Sequence, residues 1–521
     1  MKKTQLIGLA LAACVVSTSS CSVDKFLDVN QSPNNPTQVS LPVLLTSTIV
    51  NVGYANGNDL GRVSSLLVQH LAGVGNQPAA YDVYNIRGAF DNQWNFELYN
   101  GALINSKLLV DLANQRSSPA YSGIAKLLQA YTFAMTTDLY GDIPYSQALQ
   151  GLGTLAPRFD KQEDIYKGNE AQNIKSLFAL VREGLAEIDQ PSPLKPSAAD
   201  DPVYQGDLAK WKQMGNTLLL KLAMTISKRE PATAGAVINQ AAAGAITTNA
   251  NDFQVPFGTA VGNRGPLFQY NFDTRPDDQM LSQRLLDSMA LRNDPRLPLY
   301  FTQTNLVVTT PGMLQNITGT TTTVGTFTGF QNGSNNPIPA RIPVPAGPVG
   351  TNRSRYNVYI RGVQGEAPVR LLTNFQRLFI LAEAAQRALP GFTAPTGATA
   401  QSLYRDAIRA SMVKAGVADA AVTAYFTNNP RVANLSTNPT LALNQILTQK
   451  WIAWVGNGYE AYNDYRRTGF PRLQVVDNPA GDDPNSIPRR LAYPNSEVNA
   501  NSGAQGFDPT IRTSTAVWWA E

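Results

Sequence analysis

Along most of this chain apolar residues recur every three or four positions, the period of one face of an α-helix. Ile124, Leu127, Leu128, Tyr131 and Met135 form one such stripe, and Ile174, Leu177, Val181, Leu185 and Ile188 another. The pattern returns at Leu208, Trp211, Leu218 and Leu222, at Leu372, Phe375, Phe379 and Ala382, and at Leu443, Ile446, Leu447, Trp451 and Trp454. Each stripe turns one face to a core. The spacing predicts helices in pairs: 96–113 with 123–139, 171–189 with 207–228, 371–388 with 400–416, and 440–456 with 458–466. Turn residues bound them, with Gly141 and Pro144 after one helix and Pro191, Pro193 and Pro196 after another. Strand-like alternation is rare and best at Tyr356 to Arg361. The predicted fold is mainly α: tetratricopeptide-like helical hairpins with long irregular loops and a few short strands.

Three regions break the pattern. Lys2 and Lys3, the apolar run Leu6 to Val16, and small residues up to Cys21 have the layout of a secretory signal too short to span a bilayer. A cysteine at the cleavage point predicts a lipoprotein acylated at Cys21. Leu11-Ala12-Ala13-Cys14 offers an alternative acylation point, but it shortens the apolar stretch. Residues 1–20 read as a signal peptide, 21–40 as a lipid-anchored tether containing Pro33 and Pro36, and 41–521 as a single helical domain. Within it, 304–353 is rich in Thr, Gly, Asn and Pro, with Arg341 and Arg353 its only charges; it reads as a surface excursion with room for a short hairpin. The loop-like tail from Asp477 ends at Trp518 and Trp519, which are expected to pin it to the body.

Only 15% of residues are charged, and the formal net charge is +4. The basic residues are scattered, so no clustered face for nucleic acid forms. Both cysteines lie in the leader, leaving the body without a disulfide or thiol metal site. His70 is the only histidine and sits in an apolar stretch, which excludes multi-histidine metal sites. Gly151-Leu152-Gly153 and Ser192-Pro193-Leu194-Lys195 imitate nucleotide and nucleophile motifs but lie in proline-bounded loops. No cofactor and no metal are expected. Carboxylate pairs at Asp138 and Asp142, Asp277 and Asp278, and Asp482 and Asp483 keep a sugar-cleaving enzyme open as an alternative; Asp142 itself reads as turn chemistry.

Aromatics among amides give the stronger lead. Tyr81, Tyr84, Phe90, Trp94, Phe96 and Tyr99 crowd an Asn- and Gln-rich stretch. Flat rings stack on the C–H face of a sugar while amides bond its hydroxyls. Phe96 and Tyr99, which begin a helical stripe, read as core. Tyr81, Tyr84 and Trp94 are the ligand candidates, with Tyr300, Phe327 and Phe330 a second group.

In order, the motifs resemble the SusD/RagB family of nutrient-binding outer-membrane lipoproteins, especially its SusD-like branch. Cys21 is followed by Phe26-Leu27-Asp28-Val29-Asn30 and Ser32-Pro33-Asn34-Asn35-Pro36-Thr37. Then come Thr137-Asp138-Leu139-Tyr140-Gly141-Asp142-Ile143-Pro144-Tyr145, Phe159-Asp160-Lys161-Gln162-Glu163-Asp164-Ile165-Tyr166 and Asn293-Asp294-Pro295-Arg296-Leu297. Gln449-Lys450-Trp451-Ile452-Ala453, Arg466-Arg467-Thr468-Gly469-Phe470-Pro471, Ile487-Pro488-Arg489-Arg490-Leu491 and Trp518-Trp519 complete the series. Tyr462, Thr225 and Thr18 depart from the pattern. The resemblance implies a non-enzymatic protein at the cell surface, anchored to the outer membrane by lipid on Cys21. It implies a SusC-like TonB-dependent transporter as partner, capped by this chain, and an oligosaccharide or other nutrient as ligand. It carries no ligand residue across. A protein-binding helical scaffold is the competing reading.

Overall fold

A computed structural model describes residues 39–310, 320–334, 337–339 and 353–521. Its longer helices are α1 (Leu41–Gly57), α2 (Asp59–Leu67), α3 (Ile104–Gln115), α4 (Pro119–Tyr140), α5 (Leu177–Ile188), α6 (Leu208–Ile226) and α7 (Pro231–Ala241). They continue as α8 (Gln283–Ala290), α9 (Asn374–Gln386), α10 (Ala400–Lys414), α11 (Asp419–Asn428), α12 (Pro439–Ala453) and α13 (Gly458–Thr468).

Local chemistry fixes where these helices begin. A helix leaves its first N–H groups without intrahelical partners, and a short polar side chain just before it satisfies some of them. The Ser176 side chain accepts from Ala179 N–H ahead of α5, and Asp207 accepts from Ala209 and Lys210 ahead of α6. Thr373 caps α9, Thr399 and Ser402 cap α10 reciprocally, and Asn438 caps α12 with Pro439 following. Helix α4 stops at Gly141, whose φ of +90° suits only glycine, and a Cβ there would also strike the Arg490 guanidinium.

The helices pair much as the spacing predicts. α3 lies on α4, α5 on α6, and α9 on α10. α4 and α5 also meet closely, because Gly123 and Gly184 face each other: a Cβ on Gly123 would sit 2.5 Å from the Gly184 carbonyl oxygen. The fourth predicted pair differs. α13 packs chiefly on α2, not α12, and a Cβ at Gly458 would lie 2.2 Å from the Ser65 backbone nitrogen. One hydrophobic core runs from Leu41 to Ala520.

Strands occur as short antiparallel pairs. Leu71–Gly73 joins Gln279–Leu281, Phe253–Val255 joins Val369–Leu372, and Ile143–Pro144 joins Phe159–Asp160. The predicted strand from Tyr356 to Arg361 is instead a single bridge from Tyr356 to Phe301 followed by a helical turn, Val358–Arg361, capped by Asn357. The polar excursion does contain a hairpin, Thr304–Thr310 with Thr320–Thr326. Its base is not a surface loop, however. Thr304, Phe327, Phe330 and Asn332 are buried, and Asn332 Nδ2 donates to Leu71 O at 2.8 Å and Asp82 Oδ1 at 2.6 Å.

His70 is wholly buried, its Nε2 2.9 Å from the Trp451 carbonyl oxygen, and burial holds its pKa down to about 3. Trp519 is buried as well, so the C-terminus is pinned as expected. Among the described residues no helix is long and apolar enough to cross a membrane.

Candidate ligand face between two π-helical segments

Among the described residues two stretches wind as π-helix rather than α-helix: Gln93–Leu103 and Gln269–Thr274. Such segments bond i to i+5, cost stability, and gather at functional sites. Here both contribute to the surroundings of one short region, the junction of α1 and α2.

On one side, Asn58 at that junction donates from Nδ2 to Glu97 Oε1 at 2.7 Å, and Gln93 Nε2 reaches the same oxygen at 3.4 Å. Glu97 Oε2 is buried without a partner among the described residues. Burial, helped by the nearby Asp59 charge and opposed by the Asn58 hydrogen bond, pushes the Glu97 carboxyl up to about 7. One residue before it, Phe96 is 66% exposed.

On the other side, Arg62 of α2 pairs with Asp59 and donates to Gln77 Oε1 at 3.2 Å. Its guanidinium lies 3.6 Å from the centre of the Tyr270 ring, a cation–π contact. Tyr270 donates through its hydroxyl to Asp278 Oδ2 at 3.0 Å, and Asn76 Nδ2 holds the other Asp278 oxygen at 2.8 Å. Half-buried Phe272 stacks on Phe268 at 4.9 Å, with the Arg361 guanidinium 5.1 Å from its own ring centre. A small hollow lined by Gly57, Asn58, Gly61, Arg62 and Tyr270 lies at this junction. The junction thus offers a fixed ring–guanidinium stack and amide groups, and the exposed Phe96 ring stands one residue from Glu97: apolar planes and directional donors are the equipment for a polyhydroxylated ligand.

Residues 33–494 match the SusD-like family described as "Starch-binding associating with outer membrane". The chain belongs to that family. The SusD-like backbone is similar to solved structures along nearly its whole length. A chitin-binding protein is 24% identical with a TM-score of 0.72, covering 92% of this chain and 100% of its own. A chitin-binding SusD homolog from Flavobacterium johnsoniae is 22% identical with a TM-score of 0.68, covering 92% and 98%. A SusD homolog from Bacteroides uniformis is 22% identical with a TM-score of 0.70, covering 93% and 100%. No curated protein matches the sequence.

In this SusD-like fold the aromatics proposed from sequence take other positions. Tyr81, Tyr84, Trp94, Tyr300, Phe327 and Phe330 are all buried, so their faces are occupied by protein. Tyr81 donates to Asp59 Oδ2 at 3.0 Å and thereby steadies Arg62 from beneath. The Tyr84 hydroxyl accepts from Val476 N–H at 3.1 Å. Trp94 donates to Glu497 Oε1 at 3.0 Å and packs edge-on to Tyr140 at 4.9 Å. Tyr300 stacks on Tyr359 at 5.2 Å, and Phe330 packs with Ala72 and Met280. The exposed ring is Phe96, read from sequence as core. An α-helical stripe assumes 3.6 residues per turn, and the π segment Gln93–Leu103 does not obey it. Tyr270 and Arg62 were missed, and only the Arg-over-Tyr contact, a long-range one, singles them out. Cys21 lies outside the described residues.

The carboxylate pairs have structural duties. Asp138 is buried among donors, and Asp142 accepts from Gln162 N–H at 2.9 Å in the turn after α4. Asp277 pairs with Arg355 at 2.6 Å, and Asp482 with Arg87 at 2.6 Å.

Proposed function

We propose that this protein is a cell-surface glycan-binding lipoprotein that holds its ligand without cleaving it and passes it to a SusC-like TonB-dependent transporter that it caps. Acylation of Cys21 tethers it to the outer membrane; two or more acyl chains anchor stably where one does not. The observation that carries the binding part is the exposed Phe96 ring and the Arg62–Tyr270 stack flanking Asn58 on a SusD-like scaffold. Homologues named for binding chitin support a glycan as the ligand class.

Calorimetric titration with chito- and malto-oligosaccharides tests this. One series is expected to bind in the micromolar to millimolar range, ~4–8 kcal/mol. Phe96→Ala and Tyr270→Ala should each weaken binding by about 1 kcal/mol, the scale of one stacking contact. Affinities that neither substitution moves would reject the face. Release of new reducing ends from the glycans would reject the non-catalytic reading. For the anchor and partner, Cys21→Ala should abolish incorporation of labelled palmitate, and the wild-type chain should co-purify with a TonB-dependent transporter from detergent-solubilised outer membrane.

A further inference from the structure

Away from the Phe96 face, a cavity of about 530 Å³ opens between the end of α8, α10, the end of α11 and α12. That volume falls among sites that enclose small molecules. Its charge is one-sided. Among the described residues Arg292 and Arg431 line it and no carboxylate does. Arg431 has no hydrogen-bond or ion-pair partner for its guanidinium among the described residues, and Arg292 spends one nitrogen on Ser288 O at 2.6 Å. The side-chain amide of Asn428, at the wall, is likewise uncommitted, whereas Asn444 accepts only from Thr448, at 3.4 Å.

The floor is rigid and polar. Tyr404 from α10 is buried there, its hydroxyl without a hydrogen-bond partner among the described residues. An unpaired buried hydroxyl costs ~1–3 kcal/mol, so a group that satisfies it is favoured to stay. Below, Gln449 accepts from Arg296 at 2.8 Å and donates to the Tyr425 hydroxyl at 3.2 Å, while Asp294 neutralises Arg296. The floor is thereby locked, and the charge of Arg296 is cancelled without cancelling that of the rim. The concavity continues past Leu291 into a further 310 Å³ lined by Arg284, Arg472 and the single acid Asp287. Exposed Leu291 stands between the two lobes.

We infer that this cleft is a second binding site, for a carboxylate-bearing saccharide of one to two hexuronate units. Planar guanidinium forks match a carboxylate bidentately. Uncommitted amides and the Tyr404 hydroxyl serve sugar hydroxyls, and Leu291 offers an apolar patch to the C–H face. A free carboxylate shares the charge but lacks the sugar's hydroxyls and C–H face.

The test is titration of the folded wild-type chain with digalacturonate, with its dimethyl ester and with acetate. Digalacturonate should bind, at least tenfold tighter than the ester, and less tightly as salt rises. Acetate should bind at least tenfold more weakly than digalacturonate. The Arg292→Gln/Arg431→Gln chain should lose at least tenfold in digalacturonate affinity at unchanged Tm, and Phe96→Ala should lose none. Equal binding of acid and ester, acetate binding as tightly as digalacturonate, no binding of digalacturonate, or affinity indifferent to the arginine pair each overturns the inference. Loss on Phe96→Ala alone would assign the acid to the Phe96 face. Because neutral glycans are titrated separately at that face, failure here leaves the proposed function standing, and the reverse also holds.

Discussion

Glu97 and Asp59 lie close together with only one guanidinium between them, and that inequality has a measurable consequence. Arg62 sits on Asp59, while Glu97 is held only by the amides of Asn58 and Gln93. Burial raises the Glu97 carboxyl to about 7 from an ordinary 4.5. The folded chain therefore binds this proton more tightly than the unfolded chain does. Its contribution to stability is complete below about pH 4.5 and is lost as pH rises toward and through 7. Asp82 and Glu460 are raised by burial to about 7 as well and add with the same sign. Urea midpoints should fall between pH 5 and pH 8. In Glu97→Gln the fall should be shallower, by up to about 1.4 kcal/mol per pH unit, the value of one proton. Parallel pH profiles for the two chains would show that Glu97 is ionised throughout.

At the scale of elements, the closest helix contact sets two effects of known size against each other. Gly123 lies inside α4, where alanine is favoured over glycine by about 1 kcal/mol on propensity alone. Its Cβ would press within 2.5 Å of the Gly184 carbonyl on α5 and 2.8 Å of Ile188 Cγ1, and the nearer atom is backbone, which cannot turn away as a side chain can. Overpacking of that kind costs about 1–3 kcal/mol. Gly123→Ala should therefore destabilise in urea, and a gain in stability would mean the two helices separate freely. The same scale shows how much could be read in advance. Stripes such as Ile124 to Met135 located the helices because burial of one face is a local pattern. Partner choice was not local: α13 meets α2 through the bare backbone of Gly458, and nothing in spacing signals that. Phe96 is exposed and Trp94 buried, the reverse of the α-helical reading, for a related reason: the π-helical period of Gln93–Leu103 leaves no mark in the alternation of residues. Tyr356–Arg361 alternates like a strand yet closes as a helical turn, because Asn357 caps it.

Across the whole molecule, four of the motifs that carry the family resemblance, those of Asp138, Tyr166, Arg466 and Trp519, converge on one buried acid rather than on the proposed ligand face. Asp138 accepts from Tyr166 at 2.6 Å and Trp519 at 2.9 Å on one oxygen, and from Tyr459 and Asn463, each at 2.7 Å, on the other. Lys221 stands 3.6 Å away. Arg466 donates to the Asp138 carbonyl at 2.6 Å and lies 4.8 Å from the Trp519 ring centre. Next to it, although burial alone would raise Glu383, Arg467 outweighs that and holds its carboxyl down to about 2. Segments hundreds of residues apart thus share one polar node, so these motifs specify the scaffold and are silent about what it binds. That is why the family was legible and the ligand was not. The node also distinguishes the two terminal tryptophans. Among the described residues, Trp519 is fully buried and supplies one of the four side-chain hydrogen bonds to Asp138, whereas Trp518 is only half-buried and its indole N–H has no partner. Trp519→Ala should cost ~3–5 kcal/mol by lost packing, plus the penalty of a buried carboxylate short of a donor. Trp518→Ala should cost well under half of that. Calorimetric Tm values for the two chains decide it: equal losses would mean the tail is held by apolar contact alone, and Asp138 would then not be the point on which the chain closes.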